Sequence, residues 1–178
     1  MIEYRHVCKN YGGRAIVRDL SFAIEDGQFA VLIGPSGCGK TTTLKMLNRL
    51  IQSDDGEILL DGKNVAEINA EQLRTHIGYV IQQIGLFPNM TVEQNITVVP
   101  RLLKWDKARC RARAQELLRL VDMDWDTYAN KYPNELSGGQ QQRVGVLRAL
   151  AADPPAILRD EPFGALAPMT PDPLQDEV

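Results

Sequence analysis

The clearest chemical pattern in the sequence is a glycine-rich loop. Residues 34–41 read Gly-Pro-Ser-Gly-Cys-Gly-Lys-Thr and match the spacing G-x-x-x-x-G-K-[ST] in full. Glycines let backbone N–H groups turn inward to form an anion nest, and a following helix adds the positive end of its dipole. Lys40 is expected to reach the β and γ phosphates of a nucleotide, and the Thr41 hydroxyl to bind Mg²⁺. The pattern therefore predicts a phosphate site, and a plain glycine-rich turn before a helix is the alternative. The predicted nucleotide-binding residues of this loop are Gly34, Pro35, Ser36, Gly37, Cys38, Gly39, Lys40, Thr41 and Thr42.

A second motif, Leu136-Ser137-Gly138-Gly139-Gln140, narrows the function. Read locally, its serine and glutamine form a helix capping box. Two glycines in a first helical turn argue for more than a cap, because each costs about 1 kcal/mol relative to alanine. They make sense where a phosphate approaches the backbone at a helix N-terminus.

A pair of carboxylates, Asp160 and Glu161, follows the apolar run Ala156–Leu158. We expect Asp160 to hold Mg²⁺, through water, and Glu161 to polarise an attacking water. The alternative is two solvated acids on a loop.

These motifs need a scaffold that alternates strands and helices. Periodicity predicts short strands before residue 33 with turns at 12–13 and 26–27, and a buried strand at Phe29–Ile33 that leads into the loop. It also predicts helices and strands that alternate after the loop, and this alternation indicates an α/β core with a parallel sheet. These are a helix from Thr41 to Ile51, a strand at 57–60, a short helix at 69–76, a strand at 77–82, a capped helix from Thr91, a long amphipathic helix at 104–121, a helix from Ser137 to about Ala152 and a strand at 156–158.

Composition excludes several classes. The 178 residues carry 20 Lys plus Arg against 23 Asp plus Glu, for a net charge of −3, without the basic footprint of a nucleic-acid binder. Three cysteines, Cys8, Cys38 and Cys110, have no metal-ligand spacing and indicate free thiols in a reducing compartment. Apolar runs fall far short of the roughly 20 residues of a membrane span, and the start has no signal-peptide pattern. Any membrane role must therefore come through a partner.

One stretch is locally basic. Residues 101–119 hold seven bases and two acids, which favours a solvated helix face or a surface near anionic headgroups.

Together the motifs resemble the ATP-binding subunits of ABC transporters over essentially the whole chain. The resemblance implies an α/β fold: a P-loop NTPase (RecA-like) core with an N-terminal antiparallel β-subdomain and a helical subdomain. It implies one domain, incomplete at its C-terminus, in which 1–86 form the β-subdomain and P-loop core, 87–136 the helical subdomain, and 137–178 the signature helix and second carboxylate motif. ATP and Mg²⁺ are the implied cofactors.

The resemblance also assigns roles to individual residues. Tyr11 looks like the aromatic residue that stacks on adenine, with Tyr4 as the other candidate. Gln82 looks like the glutamine that contacts Mg²⁺ and the attacking water, although Gln83 lies beside it. The implied catalytic residues are Glu161 and Gln82, the implied Mg²⁺ ligands are Thr41, Gln82 and Asp160, and the implied contacts to ATP on a paired subunit are Leu136, Ser137, Gly138, Gly139 and Gln140.

A closer similarity is to importers of osmoprotectants such as glycine betaine, carnitine and choline. It is carried by 78–88, by Leu102-Leu103-Lys104-Trp105 and by 140–150. It implies a homodimer or a paired ATPase subunit, integral membrane permease subunits, indirectly a solute-binding protein, and a peripheral location on the cytoplasmic face of the membrane. No nucleic acid is implied. Apolar Leu86, Phe87 and Met90 suit either core or a groove for the permease, and the resemblance favours the groove.

Several positions depart from the family pattern. Arg159 replaces an apolar residue, Ala167 an aspartate and Pro171 an arginine, and both histidines, His6 and His76, precede the signature. An arginine in a buried strand must snorkel or find a partner. The alternatives are therefore a truncated fragment that binds nucleotide without hydrolysing it, or the ATPase subunit of an importer for another solute. A phosphate-loop kinase or DNA-repair ATPase is disfavoured.

Overall fold

The computed structural model describes residues 1–80 and 85–160. An antiparallel sheet occupies the N-terminal part, with strand order β2-β1-β3-β4. Its first two strands form a hairpin that turns at Gly12 and Gly13, both with positive φ, as the sequence predicts. The strands are β1 (Ile2–Tyr11), β2 (Arg14–Ile24), β3 (Asp55–Leu60) and β4 (Lys63–Asn64).

Two further strands, β5 (Ile77–Val80) and β6 (Ala156–Arg159), pair in parallel. Their pairing confirms the expected α/β fold with parallel strands. The helices are α1 (Lys40–Leu47), α2 (Ala70–Thr75), α3 (Val92–Ile96), α4 (Val98–Leu102), α5 (Lys107–Leu120), α6 (Trp125–Tyr128) and α7 (Gly138–Leu150), with a 3₁₀ turn at Pro133–Glu135.

Helix starts follow the capping residues of the sequence. The Thr91 side chain caps α3 in a complete capping box, and Asn69 and Asp106 accept backbone N–H bonds at the starts of α2 and α5. Each cap satisfies donors that the first turn leaves without a partner. The start of α5 lies three residues after the predicted one because Asp106 supplies the cap.

The buried strand predicted at Phe29–Ile33 is wrong. No strand forms there, and the side chains of Phe29 and Ile33 are each 91% exposed. A strand inside a parallel sheet must bond to backbone partners along its edges. Within 1–80 and 85–160 no strand pairs with this segment, so its apolar side chains have no surface to pack against.

Buried apolar side chains form two clusters. The first joins both sheets and α1, with Val7, Met46, Leu73 and Leu158 among its members. The second joins α3, α5 and α7 through residues such as Ile96, Leu118 and Leu147. Helix α7 therefore packs with the helical part of the chain while its C-terminal end reaches the parallel strands.

The contact between α7 and β5 is unusually close. A Cβ added to Gly78 would lie 2.6 Å from the carbonyl oxygen of Ala149 and 3.1 Å from Cγ of Pro154. Only glycine lets strand and helix approach to this distance, so Gly78 fixes the position of α7 on β5.

Truncating Ile96 tests the second cluster. Ile96→Ala removes a fully buried side chain and leaves a cavity, so the free energy of unfolding should fall by about 2–5 kcal/mol. Leu120→Ala, on an exposed position of α5, should change it by no more than about 0.5 kcal/mol. Urea denaturation of the two variants gives the comparison, and equal losses would contradict the assigned core.

Candidate nucleotide-binding site

The glycine-rich loop ends at Gly39, the N-cap of α1. Gly39 has φ +102°, and a Cβ there would lie 3.1 Å from Cγ2 of Val17 and 3.2 Å from the carbonyl oxygen of Ile16. Both the backbone conformation and the packing against β2 therefore require glycine. As a result, the first turn of α1 begins directly beneath the loop, where its free N–H groups can meet an anion.

Lys40 lies within this loop rather than out in solvent. Its Nζ atom donates hydrogen bonds to the carbonyl oxygens of Gly34 at 2.7 Å and Pro35 at 2.9 Å, and lies 3.7 Å from Sγ of Cys38. The ammonium group is thereby held at the concave side of the loop, where it adds a full positive charge to the backbone nest. A phosphate oxygen entering the loop would meet this ammonium directly.

Thr41 and Asp160 meet although they are distant in sequence. The Thr41 hydroxyl donates a hydrogen bond of 2.8 Å to Oδ1 of Asp160, across a sequence separation of 119 residues. The parallel pairing of β5 and β6 delivers Asp160 to this point, and its N–H bonds back to the carbonyl of Val80 at 3.1 Å.

The Thr41 and Asp160 oxygens fit a magnesium ion. Mg²⁺ takes oxygen ligands, keeps several waters and needs only one or two protein groups, which a hydroxyl and an adjacent carboxylate supply. Across 1–80 and 85–160 there is no cluster of three or more His, Cys, Asp and Glu side chains with metal-binding geometry.

A cavity of about 460 Å³ lies over the loop. The hairpin brings Tyr11 and Ile16 to one wall, opposite the start of α1. Tyr11 is 47% exposed and lines the cavity. The lining residues are Tyr11, Ile16, Ser36, Gly37, Gly39, Lys40, Thr41 and Thr42.

The structure separates the two tyrosine candidates. Tyr4 is only 3% exposed, stacks on Phe22 with ring centroids 4.5 Å apart, and donates its hydroxyl to the carbonyl of Thr43 at 3.0 Å. Burial also raises the pKa of its phenol. Tyr4 is therefore a core residue, whereas Tyr11 lines the cavity.

Sequence reasoning missed Ile16 as a wall of this cavity. Ile16 lies two residues after Arg14, which pairs with Tyr11 across the hairpin. The position of Ile16 at the cavity therefore depends on the register of β1 and β2, which the apolar character of the residue does not reveal.

The second motif lies at the exposed start of α7. The Ser137 hydroxyl and the Gln140 side chain form the capping box, and Nε2 of Gln140 donates to the Tyr128 hydroxyl at 3.1 Å. A Cβ added to Gly138 or Gly139 would meet no atom of the described chain within 4 Å. Residues 1–80 and 85–160 thus leave this surface open, while Leu136 is buried in the second cluster.

Several predicted residues lie outside the described parts of the chain. They are the catalytic candidates Gln82 and Glu161, the neighbouring Gln83, and the divergent positions Ala167 and Pro171. Arg159, the remaining divergent residue, is exposed on β6.

Phe87 lines a groove between the two halves of the fold. The groove holds about 280 Å³, and Gly78, Val98 and Arg148 are among its other walls. Arg148 donates to the carbonyl of Gly85 at 2.7 Å, and its guanidinium lies 5.6 Å from the Phe87 ring centre. Burial lowers the pKa of Arg148. Phe87 is exposed, as a groove wall requires, while Leu86 packs on the second cluster.

Part of the basic stretch has internal partners. Arg113 donates to the carbonyls of Leu150 and Ala151 at the end of α7, and the Arg109 guanidinium lies 3.5 Å from the Trp105 ring centre. These two arginines therefore stabilise the helical part directly.

Comparison with known proteins assigns the chain to a family. The sequence profile of the family described as ABC transporter matches residues 17–164. The chain belongs to the ABC transporter family. The match spans the loop, the second motif, and both carboxylates.

Relatives with assigned names share more than half of the sequence. Identity is 58% over 178 residues to the glycine betaine/carnitine/choline transport ATP-binding protein OpuCA of Bacillus subtilis, covering 99% of this chain and 47% of that protein. It is 58% over 161 residues to the osmoprotectant import ATP-binding protein OsmV of Salmonella typhimurium, covering 90% and 42%. It is 52% to the glycine betaine uptake system ATP-binding protein YehX of Escherichia coli, covering 100% and 58%. The chain thus spans about half the length of these relatives.

Solved structures of ABC transporter cassettes share the fold. The dimeric structure of the bacterial cassette MJ0796 matches with a TM-score of 0.80 and 36% identity, covering 94% of this chain and 76% of that one. A post-hydrolysis state of the same cassette, bound to ADP and Pi, matches with a TM-score of 0.80 and 34% identity, covering 94% and 77%. These neighbours confirm the P-loop α/β architecture.

Among the helices of 1–80 and 85–160, none has the length and apolar character needed to cross a bilayer.

Cys38 offers a chemical test of the cavity. Its thiol is exposed and lies 3.7 Å from Nζ of Lys40, so a bulky maleimide there should block nucleotide binding. Saturating MgATP should slow labelling of Cys38 at least several-fold, as followed by mass spectrometry. Cys110, which is buried, serves as an internal reference, and Cys38→Ser should abolish the inhibition. Equal labelling of Cys38 with and without MgATP would contradict its position in the site.

Proposed function

We propose that this chain is the ATP-binding and hydrolysing part of an ABC importer that energises uptake of an osmoprotectant. One observation carries the proposal: Tyr11 lines the same cavity as Lys40 and Thr41 of the phosphate loop, and Thr41 bonds to Asp160. The cavity volume of about 460 Å³ suits a nucleotide.

Each wall of the cavity has a proposed role. Tyr11 stacks on adenine; the backbone of 34–39 and the start of α1 hold the phosphate oxygens; Lys40 neutralises the β and γ phosphates. Thr41, Asp160 and Gln82 would hold Mg²⁺, which when bound would stabilise negative charge on the phosphates. Thr42 contributes its N–H at the first turn of α1.

Hydrolysis adds water to the γ-phosphorus as the bond to the β–γ bridging oxygen breaks. Glu161 accepts a proton from the attacking water and Gln82 orients that water. Lys40 stabilises the charge that develops on the transferred group and on the departing ADP. The chain's task is to position and to stabilise charge, because phosphoryl transfer needs little covalent help from protein.

The exposed start of α7 supports a dimer that holds two ATP molecules. Leu136 anchors the motif, and Ser137, Gly138, Gly139 and Gln140 present open backbone to a nucleotide bound by a second copy or a paired ATPase subunit. The dimeric structure of the similar cassette MJ0796 supports pairing of two such chains. Neither subunit's site is complete without the other.

The permease partner is proposed to dock at the groove beside Phe87, which lies between the two apolar clusters. The names of OpuCA, OsmV and YehX support an osmoprotectant as the transported solute. A solute-binding protein is proposed as an indirect partner, reached through the permease. A peripheral location on the cytoplasmic face of the membrane follows from such a complex. We also propose that the domain divides into a β-subdomain with the P-loop core (1–86), a helical subdomain (87–136) and a segment with the signature helix and second carboxylate motif (137–178).

A second candidate is a cassette that binds nucleotide without useful turnover. Arg159 and Ala167 favour it, because they replace the apolar and acidic residues expected around the catalytic carboxylate. An importer of another solute would use the same ATP chemistry.

Lys40→Ala tests nucleotide binding. Loss of the ammonium removes a charge-assisted contact to phosphate, so MgATP affinity should fall at least tenfold by isothermal titration calorimetry. Lys45→Ala, one turn further along α1 and away from the cavity lining, is the matched control and should bind normally. Unchanged binding by Lys40→Ala would refute the phosphate site.

Glu161→Gln separates the two candidates. If the chain hydrolyses ATP, this variant should retain MgATP binding, lose at least a hundredfold in turnover and accumulate an ATP-bound dimer on size-exclusion chromatography. Parent turnover at background, with normal MgATP binding, would instead establish the hydrolysis-deficient candidate.

A further inference from the structure

We propose that Asp54 is a positioning residue that holds Tyr11 over the nucleotide cavity. Asp54 lies outside the cavity lining and follows the loop that leaves α1. It contacts the two residues immediately before Tyr11, Lys9 and Asn10. The inference rests on the proposed function, because it assigns the support of the adenine side of that site.

Asp54 binds the end of β1 through both carboxylate oxygens. Oδ1 accepts from Nζ of Lys9 at 2.6 Å, and Oδ2 accepts from the backbone N–H of Asn10 at 2.6 Å and from its Nδ2 at 3.2 Å. The backbone of Asp54 adds a bond from its own N–H to the carbonyl of Cys8 at 2.9 Å. Three consecutive residues of β1 are thereby attached to one acidic residue.

Lys9 extends this attachment to the ring of Tyr11. Its Nζ atom lies 5.4 Å from the Tyr11 ring centre while bonded to Asp54, and its side chain is only 13% exposed. The ammonium group is therefore fixed between a carboxylate and an aromatic face, a favourable position for both contacts. The lysine and Asn10 bonds also keep the pKa of Asp54 below its usual range, so the carboxylate stays charged at neutral pH.

β1 needs this support at its end. It has register shifts between Tyr4 and Val7, between Val7 and Lys9, and between Lys9 and Asn10, so its ladder to β2 is irregular just before Tyr11. On the other side, β3 pairs with β1 only as far as Cys8. Beyond that point Asp54 replaces the missing strand partner with side-chain acceptors.

The attachment also joins the two sides of the nucleotide site. The phosphate side is built on α1, and the chain runs from the end of α1 through residues 48–54 to Asp54. Asp54 therefore ties the element that carries Lys40 and Thr41 to the strand that carries Tyr11. Its removal should loosen adenine contacts while leaving phosphate contacts intact.

Asp54→Asn tests the inference with two probes. The variant keeps the size of the side chain but loses its charge, so MgATP affinity should fall about tenfold while affinity for magnesium tripolyphosphate, which lacks a base, stays within twofold. Asp55→Asn is the matched control. Within the described parts of the chain, the Asp55 side chain accepts a hydrogen bond only from the backbone N–H of Gly56. It should bind both probes normally.

Tyr11→Leu and the double variant complete the experiment. Tyr11→Leu alone should reproduce the selective loss for MgATP, and Asp54→Asn combined with Tyr11→Leu should lose no more than Tyr11→Leu does. An additive double variant, or equal losses for both probes, would overturn the inference. If the parent chain bound tripolyphosphate but not ATP, or neither, the proposed function itself would fail, which is a distinct result.

Discussion

The hydrogen bond between Thr41 and Asp160 is the contact on which the arrangement of the site depends. It joins the first turn of α1 to the carboxyl end of β6 at 2.8 Å. This bond links the phosphate loop to the second carboxylate motif, which lies on a separate element. The two oxygens meet because α1 packs against the same apolar cluster as Leu158 of β6.

Two backbone constraints maintain that arrangement. Gly39, with φ +102°, brings α1 against β2 with little room for a side chain, and Gly78 brings α7 against β5 at a distance that no side chain allows. Such contacts are steric, so they hold whether or not a nucleotide is bound. The polar groups of the site are thus carried on elements whose separation is set by packing.

Much of this could be predicted from the sequence because the signals were local. The loop at 34–41, the capping boxes at Thr91 and Ser137 and the Gly12–Gly13 hairpin each depend on a few adjacent residues, and each forms as expected. Phe29–Ile33 failed because an apolar run specifies burial but not the strand that must pair with it. Asp54 and Ile16 were not foreseen because their contacts depend on strand register across the hairpin and on loop 48–54.

Helix α7 carries the exposed Ser137 at one end, and its other end lies against Gly78 of β5. Its 13 residues span about 20 Å, and the buried ones, Val144, Gly145, Leu147 and Ala149, lie in the half of the helix nearer to β5. Packing therefore holds α7 at the end near Gly78, while Ser137, Gly138 and Gly139 at its start are exposed. The close approach at Gly78 thus fixes one end of α7 on β5, and a bulkier residue there would displace that end of the helix while leaving the capping box at Ser137 intact.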